Sequence, residues 1–259
     1  MSGSGRIPPS LAFMHIEKTA GSSVVSYLTS LYPESAIDPD PYRGAPGHIL
    51  QPIPDPRRQY ALTHGHYDLP ALLRSRQQRK LCVFFRRPDQ RILSLYDYWR
   101  AITPEEIEHN RPHAGMIAAR ARGLLDFLRS PEPEVRDFID NVYARRLTGL
   151  YLSSSDAMPS DAGWLDSALA GLGRIDFVGT VERMSDSLLV LSRHLDAPPP
   201  GLVPHVNKLS DMVLDPASVF VRHPSSTLAA RERAAIAPLV RLDWPIYEAA
   251  CARLAAGTV

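Results

Sequence analysis

The sequence predicts an α/β fold with a mainly parallel central sheet covered by helices on both faces. Three observations carry that prediction. Short apolar runs begin at Leu11, Tyr60, Leu81 and Ile175, each of strand length. Each run gives way to a polar turn and then to a segment of helical character, and strand–helix alternation implies parallel strands. The chain has 259 residues and is 44% apolar, enough for one large domain with a full core.

The elements follow in order. After Leu11-Ala12-Phe13-Met14 and a polar turn, Val24, Tyr27, Leu28 and Leu31 fall at i, i+3, i+4 and i+7 and predict the first helix over 24–31. Residues 33–59 are rich in Pro, Asp, Gly and Arg and predict a long surface excursion. The run 60–63 ends at His64-Gly65-His66, and Asp68 caps a short helix to about Arg76. Leu81-Cys82-Val83-Phe84-Phe85 is the clearest buried strand. Pro88 suits the first position of the next helix, which runs to about Arg100 with Ile92, Leu93, Tyr96 and Trp99 inward. Residues 101–133 predict an insertion, helical near Met116–Arg129 and broken at Pro131-Glu132-Pro133. Helices are then expected over Glu134–Leu147 and Asp161–Gly171, a strand over Ile175–Gly179, and an amphipathic helix over Glu182–Leu195 stopped by Pro198-Pro199-Pro200. A polar loop covers His205–Asp211. A final helical region runs from about Leu228 to Ala255, interrupted near Asp243-Trp244-Pro245. The whole of 1–259 reads as one domain with a flexible terminus over 1–10.

Bulk chemistry excludes several classes. A net charge of +1 gives no global field for nucleic acid or an anionic membrane. There is no secretory leader pattern and no run of about 20 apolar residues, so a cytoplasmic protein is expected. Cys82 and Cys251 lie far apart and form no metal-like cluster. The richness in Arg, Ala and Pro suggests a GC-rich bacterial genome. Of the 29 basic residues only Lys18, Lys80 and Lys208 are lysine. A lysine in the first loop therefore departs from the habit of the chain, and lysine is the compact point charge that can follow a single oxygen.

Polar clusters at 15–23, 64–66, 86–94 and 179–182 all follow strands, and ligands in parallel sheets bind beyond the strands' carboxyl ends. The first, His15-Ile16-Glu17-Lys18-Thr19-Ala20-Gly21-Ser22-Ser23, is a turn entering a helix, a natural phosphate site. It is not the nucleotide-triphosphate loop G-x-x-x-x-G-K-[ST], because Lys18 and Thr19 precede Gly21, and no Mg²⁺-binding carboxylates stand out. The second, Arg86 to Ser94, combines guanidinium, helix N-terminus and hydroxyl, with Arg91 at i−3 from Ser94. It reads as a second anion site or as a surface arginine patch. Two such sites suit a ligand with phosphate-like groups at both ends.

These two stretches resemble the signatures of the carbohydrate sulfotransferases, which use 3′-phosphoadenosine 5′-phosphosulfate (PAPS). His15–Ser23 is similar to H-I-P-K-T-A-G-T-S, and Arg86–Tyr96 to R-D-P-x-x-R-x-x-S-x-Y. Phe177–Glu182 and Asp243–Glu248 resemble that family's later strand and closing D-x-x-[LI]-Y-E segment. The resemblance implies a three-layer, P-loop-like fold. It implies that Lys18 contacts the sulfuryl group and its bridging oxygen, that Thr19, Ala20, Gly21, Ser22 and Ser23 hold the 5′-phosphate, and that Arg86 and Ser94 hold the 3′-phosphate. Glu17 replaces a proline and either points away or is a further acid/base group. Arg87 replaces an aspartate and either strengthens the anion site or is solvated.

A hydroxyl acceptor must lose a proton, and neutral histidine suits that work. His64-Gly65-His66 resembles the H-G-H of heparan sulfate 2-O-sulfotransferases, where the base is assigned. In an extended segment both rings would share a side; the plain alternative is a pair of strand-end histidines bonded to backbone, and a His-x-His zinc site lacks a third ligand. Lys208 either approaches the adenosine or 3′-phosphate or is an exposed loop lysine. Glu182 either bonds backbone N–H groups or orients a histidine. Arg111, His113, Arg120 and Arg122 in the insertion suit an anionic acceptor or form a solvated face. The expected function is metal-free sulfuryl transfer to a hydroxyl of a glycan or small molecule. The other readings are a P-loop kinase or nucleotide hydrolase, and a non-catalytic nucleotide-binding module.

Overall fold

The computed structural model describes residues 8–39, 59–75, 78–109, 113–154, 157–201 and 219–257. Lys208, Arg111, the loop 205–211 and most of the excursion 33–59 lie outside these residues, as does the terminus before Pro8.

The sheet is parallel throughout. Its strands are β1 (Leu11–Met14), β2 (Leu62–Gly65), β3 (Lys80–Phe85) and β4 (Phe177–Thr180), in the order β2-β1-β3-β4. Met14 pairs with Gly65 and Val83, and Phe85 pairs with Thr180. His15, His66, Arg86 and Val181 thus all leave from one edge of the sheet.

Strand alternation sends side chains to two cores. Leu11, Phe13, Cys82, Phe84 and Phe177 pack on α1 (Gly21–Thr29) and α10 (Met184–His194). Ala12, Met14, Val83, Phe85 and Val178 face α2 (Leu69–Arg74), α8 (Val142–Thr148), α9 (Asp161–Leu172) and α12 (Asp243–Ala255). Helices therefore cover both faces. Cys82 is a buried core residue, and both cysteines are free thiols.

A third cluster forms on α3 (Pro88–Ala101). Ile92, Leu95, Tyr96 and Trp99 pack against α5 (Ala114–Ala121), α6 (Leu124–Leu128), α7 (Pro133–Ile139) and α11 (Ala230–Ile236). Among the described residues of 101–133 the chain forms α4 (Pro104–His109) before α5 and α6, and α4 was not expected. The stretch 116–129 is not one helix, because Arg122 and Gly123 adopt extended ψ values between α5 and α6.

Other boundaries follow from local chemistry. Pro88 is the first residue of α3, and the Asp68 carboxylate accepts from Ala71 N–H at 2.6 Å to cap α2. The helix expected over 134–147 is divided at Asn141, which is left-handed at φ 49°. Asn141 is held there by its own amide: Nδ2 donates to Asp140, and Oδ1 accepts from Leu242 N–H at 2.8 Å. The last helical region breaks before Asp243, through a 3₁₀ turn at Ala237–Val240, and Asp243 opens α12. Among the described residues no helix is long and apolar enough to cross a membrane.

Candidate functional site

The loop between β1 and α1 carries stored backbone strain. Lys18 and Ala20 both sit in the left-handed region, at φ 65° and 59°. An L-residue there costs roughly 1–2 kcal/mol, and such strain clusters where a loop is shaped for a ligand. Left-handed turns of this kind build concave nests of N–H groups. The loop leads into the start of α1, whose first turn contains no acidic residue and where the Ser23 and Val24 N–H groups donate to Ala20 O at 3.0 and 3.2 Å.

Gly21 is required by packing. A Cβ there would overlap the His15 ring. His15 cannot readily retreat, because it stacks on Phe13 at 5.6 Å and lies against His66 at 4.6 Å between ring centroids. Burial, and then the neighbouring His66, push the His15 pKa well below the usual imidazole range, so the ring is neutral. Thr19 is also structural: it is buried, and its hydroxyl donates to Ile16 O at 2.9 Å. The side chain is thus turned inward, away from the phosphate contact expected of it. Ser22 is half-buried and Ser23 buried in the first turn of α1.

Lys18 Nζ stands 3.8 Å from the centroid of the Tyr98 ring. Burial and the Arg86 charge pull its pKa down to about 8. Arg86 is anchored by Tyr143, whose hydroxyl donates to Arg86 O at 2.5 Å and accepts from Arg86 N–H at 3.1 Å. From there Arg86 Nη1 reaches Lys18 O at 3.5 Å. Ser94, half-buried, lies one turn before Tyr98 on the same face of α3. The loop after β1, the end of β3 and this face of α3 therefore converge on Lys18.

Arg91 does not join Ser94. It is fully buried, and its Nη2 donates to Phe138 O at 2.7 Å. It points into the helical layer, where Tyr143 and Asp243 are among its electrostatic neighbours. Arg87 is on the surface, paired with Asp89 at 3.1 Å and stacked over Trp244.

The two histidines after β2 occupy different surroundings. His64 is buried opposite Phe13 within the sheet, and burial lowers its pKa against the pull of Asp38. His66 lies past the strand end and is half-buried. Gly65 between them has φ 152°, so the extended geometry assumed for an i, i+2 pair is lost at a conformation open to glycine. Both rings still neighbour His15. His66 Nδ1 is 2.9 Å from His15 O, which makes Nδ1 the protonated donor and Nε2 the acceptor nitrogen. The same Nδ1 is 3.3 Å from Glu17 Oε1, and Glu17 is ion-paired to Arg146 of α8.

Residues outside the first loop hold this arrangement together. Glu182 accepts from Arg87 N–H at 2.8 Å and from the Tyr247 hydroxyl at 2.9 Å, so its role is the backbone one. Asp243 accepts from the N–H groups of Tyr143 and Ala144 at 2.9 and 3.2 Å and so caps α8. Tyr98 carried a readable signal, since it stands four residues after Ser94. Tyr143 and Arg146 carried none, being long-range partners on a buried helix.

The described basic residues of the insertion named above, His113, Arg120 and Arg122, bond within their own helical layer. His113 caps α5 by accepting from Gly115 N–H at 3.1 Å, and Arg122 binds Glu132 through both terminal nitrogens, at 3.0 and 2.5 Å. Arg120 is bonded to the carbonyl oxygens of Arg100 and Ile102. Lys80, at the opposite end of the sheet, donates to His194 O at 3.1 Å. A scan against protein-family models and a search of curated proteins each returned no match to this chain.

Proposed function

We propose that the protein is a sulfotransferase that takes the sulfuryl group from PAPS and gives it to a hydroxyl of a glycan or small-molecule acceptor, on a three-layer, P-loop-like fold. The observation that carries this reading is the meeting of Lys18, Arg86 and His66 at the carboxyl edge of one parallel sheet. The strained loop with the N-terminus of α1 suits a 5′-phosphate, and Arg86 with Ser94 suits the 3′-phosphate. PAPS supplies an activated sulfuryl group on a phosphate leaving group.

In this reading the cation of Lys18 meets charge gathering on the bridging oxygen as the S–O bond breaks. Its desolvated position beside Tyr98 strengthens that interaction. His66 is favoured over His64 as base, because its Nε2 is the acceptor nitrogen and its ring is not buried inside the sheet. The proton of the acceptor hydroxyl passes to Nε2 while the acceptor oxygen bonds sulfur. The electron pair of the broken bond stays with the departing phosphate.

The test has two stages. Calorimetry at low salt should show adenosine 3′,5′-bisphosphate binding, and its absence would sink the reading. Labelled PAPS offered with a panel of glycans and hydroxylated small molecules should then yield a sulfated product. Lys18→Ala should abolish that transfer. His66→Ala should reduce it by roughly 100-fold or more, within the range of general base contributions. Equal loss in His64→Ala and none in His66→Ala would reverse the choice of base.

A further inference from the structure

Glu17 stands where the resembling signature has proline, and it places a negative charge beside a loop suited to anions. The fold resolves that conflict. Arg146, fully buried on α8, is ion-paired with Glu17 Oε1. With that guanidinium alongside, and His66 adding to it, the carboxyl pKa falls to about 2 despite burial, so Glu17 is ionised at any working pH.

The pairing is not that of a structural staple. An arginine–carboxylate staple is strongest when both oxygens are engaged. Here Oε1 takes both Arg146 and His66, while Oε2 is buried with no hydrogen-bond partner among the described residues. The imidazole is addressed on one nitrogen from two sides, by His15 O at 2.9 Å and by Glu17 at 3.3 Å. The charge lies behind the ring, on the side away from Nε2.

We propose that Glu17 is a positioning residue for His66: clamped by Arg146, its carboxylate fixes the Nδ1–H tautomer and stabilises the ring when Nε2 takes a proton. This rests on His66 being the base of the reaction proposed above. The proton then has an anion waiting for it 3.3 Å from the opposite nitrogen, and the backbone carbonyl of His15 supplies orientation without charge.

The test separates this inference from the reading beneath it. Nitrogen-15 NMR of the His66 ring is recorded against pH in the native chain and in Glu17→Gln, with no substrate present. The native ring should show the Nδ1–H tautomer. In Glu17→Gln the side-chain amide can donate as well as accept, so the preference for Nδ1–H should weaken and an Nε2–H population should appear. Because Glu17→Gln leaves Arg146 buried without its anion, the double variant Glu17→Gln/Arg146→Met provides a second chain in which both charges are gone. An unchanged tautomer balance in whichever variant folds, or an Nε2–H tautomer in the native chain, overturns the inference. In the transfer assay Glu17→Gln should lower kcat about 10- to 100-fold, the usual cost of losing an orienting partner, with the donor KM held. A native protein that transfers no sulfuryl group removes the proposed reaction, while the NMR tautomer still decides the pairing.

Discussion

Arg146 of α8 is ion-paired with Glu17 in the loop after β1, across 129 residues of sequence. One face of the sheet's helical cover thereby reaches through to the candidate site. Removing one member of a largely buried pair leaves an uncompensated charge, at a cost of up to about 3–5 kcal/mol. Arg146→Met should therefore lower stability by that amount, read as a drop in the denaturant midpoint. Adding Glu17→Gln should recover much of the loss, because the orphan charge is then gone. A double variant no more stable than Arg146→Met would show that the pair contributes nothing beyond the arginine's own packing.

The extent to which sequence conveyed this site depends on the reach of each contact. The turn, Gly21, Pro88 and the Asp68 cap are local, and their chemistry is written within a few residues. The convergence of the strand ends was also legible, since parallel strands put their carboxyl ends at one edge. The side-chain directions were not. Arg91 shares a helix with Ser94 yet turns into the core, and Gly65 bends the segment that would have aligned His64 with His66. Helix ends failed for the same reason: Asn141 is a break only because Leu242, from a distant segment, bonds its side chain.

Two substitutions in the first loop should act in opposite directions. Gly21→Ala drives a methyl into the His15 ring, which Phe13 and His66 hold in place. Overpacking of this kind costs about 1–3 kcal/mol, and the displaced ring should weaken binding of adenosine 3′,5′-bisphosphate. Ala20→Gly relieves the left-handed strain at φ 59°. After glycine's entropy cost the net gain should be about 0.5–1 kcal/mol, or a rise in melting temperature of about 2 °C. A fall in melting temperature for Ala20→Gly would mean that the loop is not strained at that residue.

Asp243 gives a stability signature with a definite sign. Burial pushes its carboxyl pKa up to about 7, outweighing the pull of Arg91 and the two N–H groups that it accepts from. The folded chain thus holds this proton more tightly than the unfolded chain, where the pKa is about 4. The stability that Asp243 contributes is complete below about pH 4 and is lost as pH rises through 7. Asp243→Asn keeps an oxygen acceptor for both N–H groups and cannot ionise. Denaturant unfolding curves between pH 4 and 7 should show the variant gaining on the native chain as pH rises. A constant difference across that range would remove Asp243 from the pH dependence.

Lys18 should set the alkaline limit of activity. Its pKa is drawn to about 8, first by burial beside Tyr98 and then by the Arg86 charge. Only the ammonium form can meet developing negative charge on a leaving oxygen. In the free protein the cation is lost as pH rises through about 8, so kcat/KM should decline above that pH. A bound phosphosulfate brings negative charge next to the ammonium and favours its charged form, so the alkaline limb of kcat should lie at higher pH than that of kcat/KM. Lys18→Arg supplies a cation that does not titrate in this range, and whatever activity it retains should be flat through pH 9. A native profile with no alkaline limb, or one that Lys18→Arg leaves in place, would assign the limit to another group.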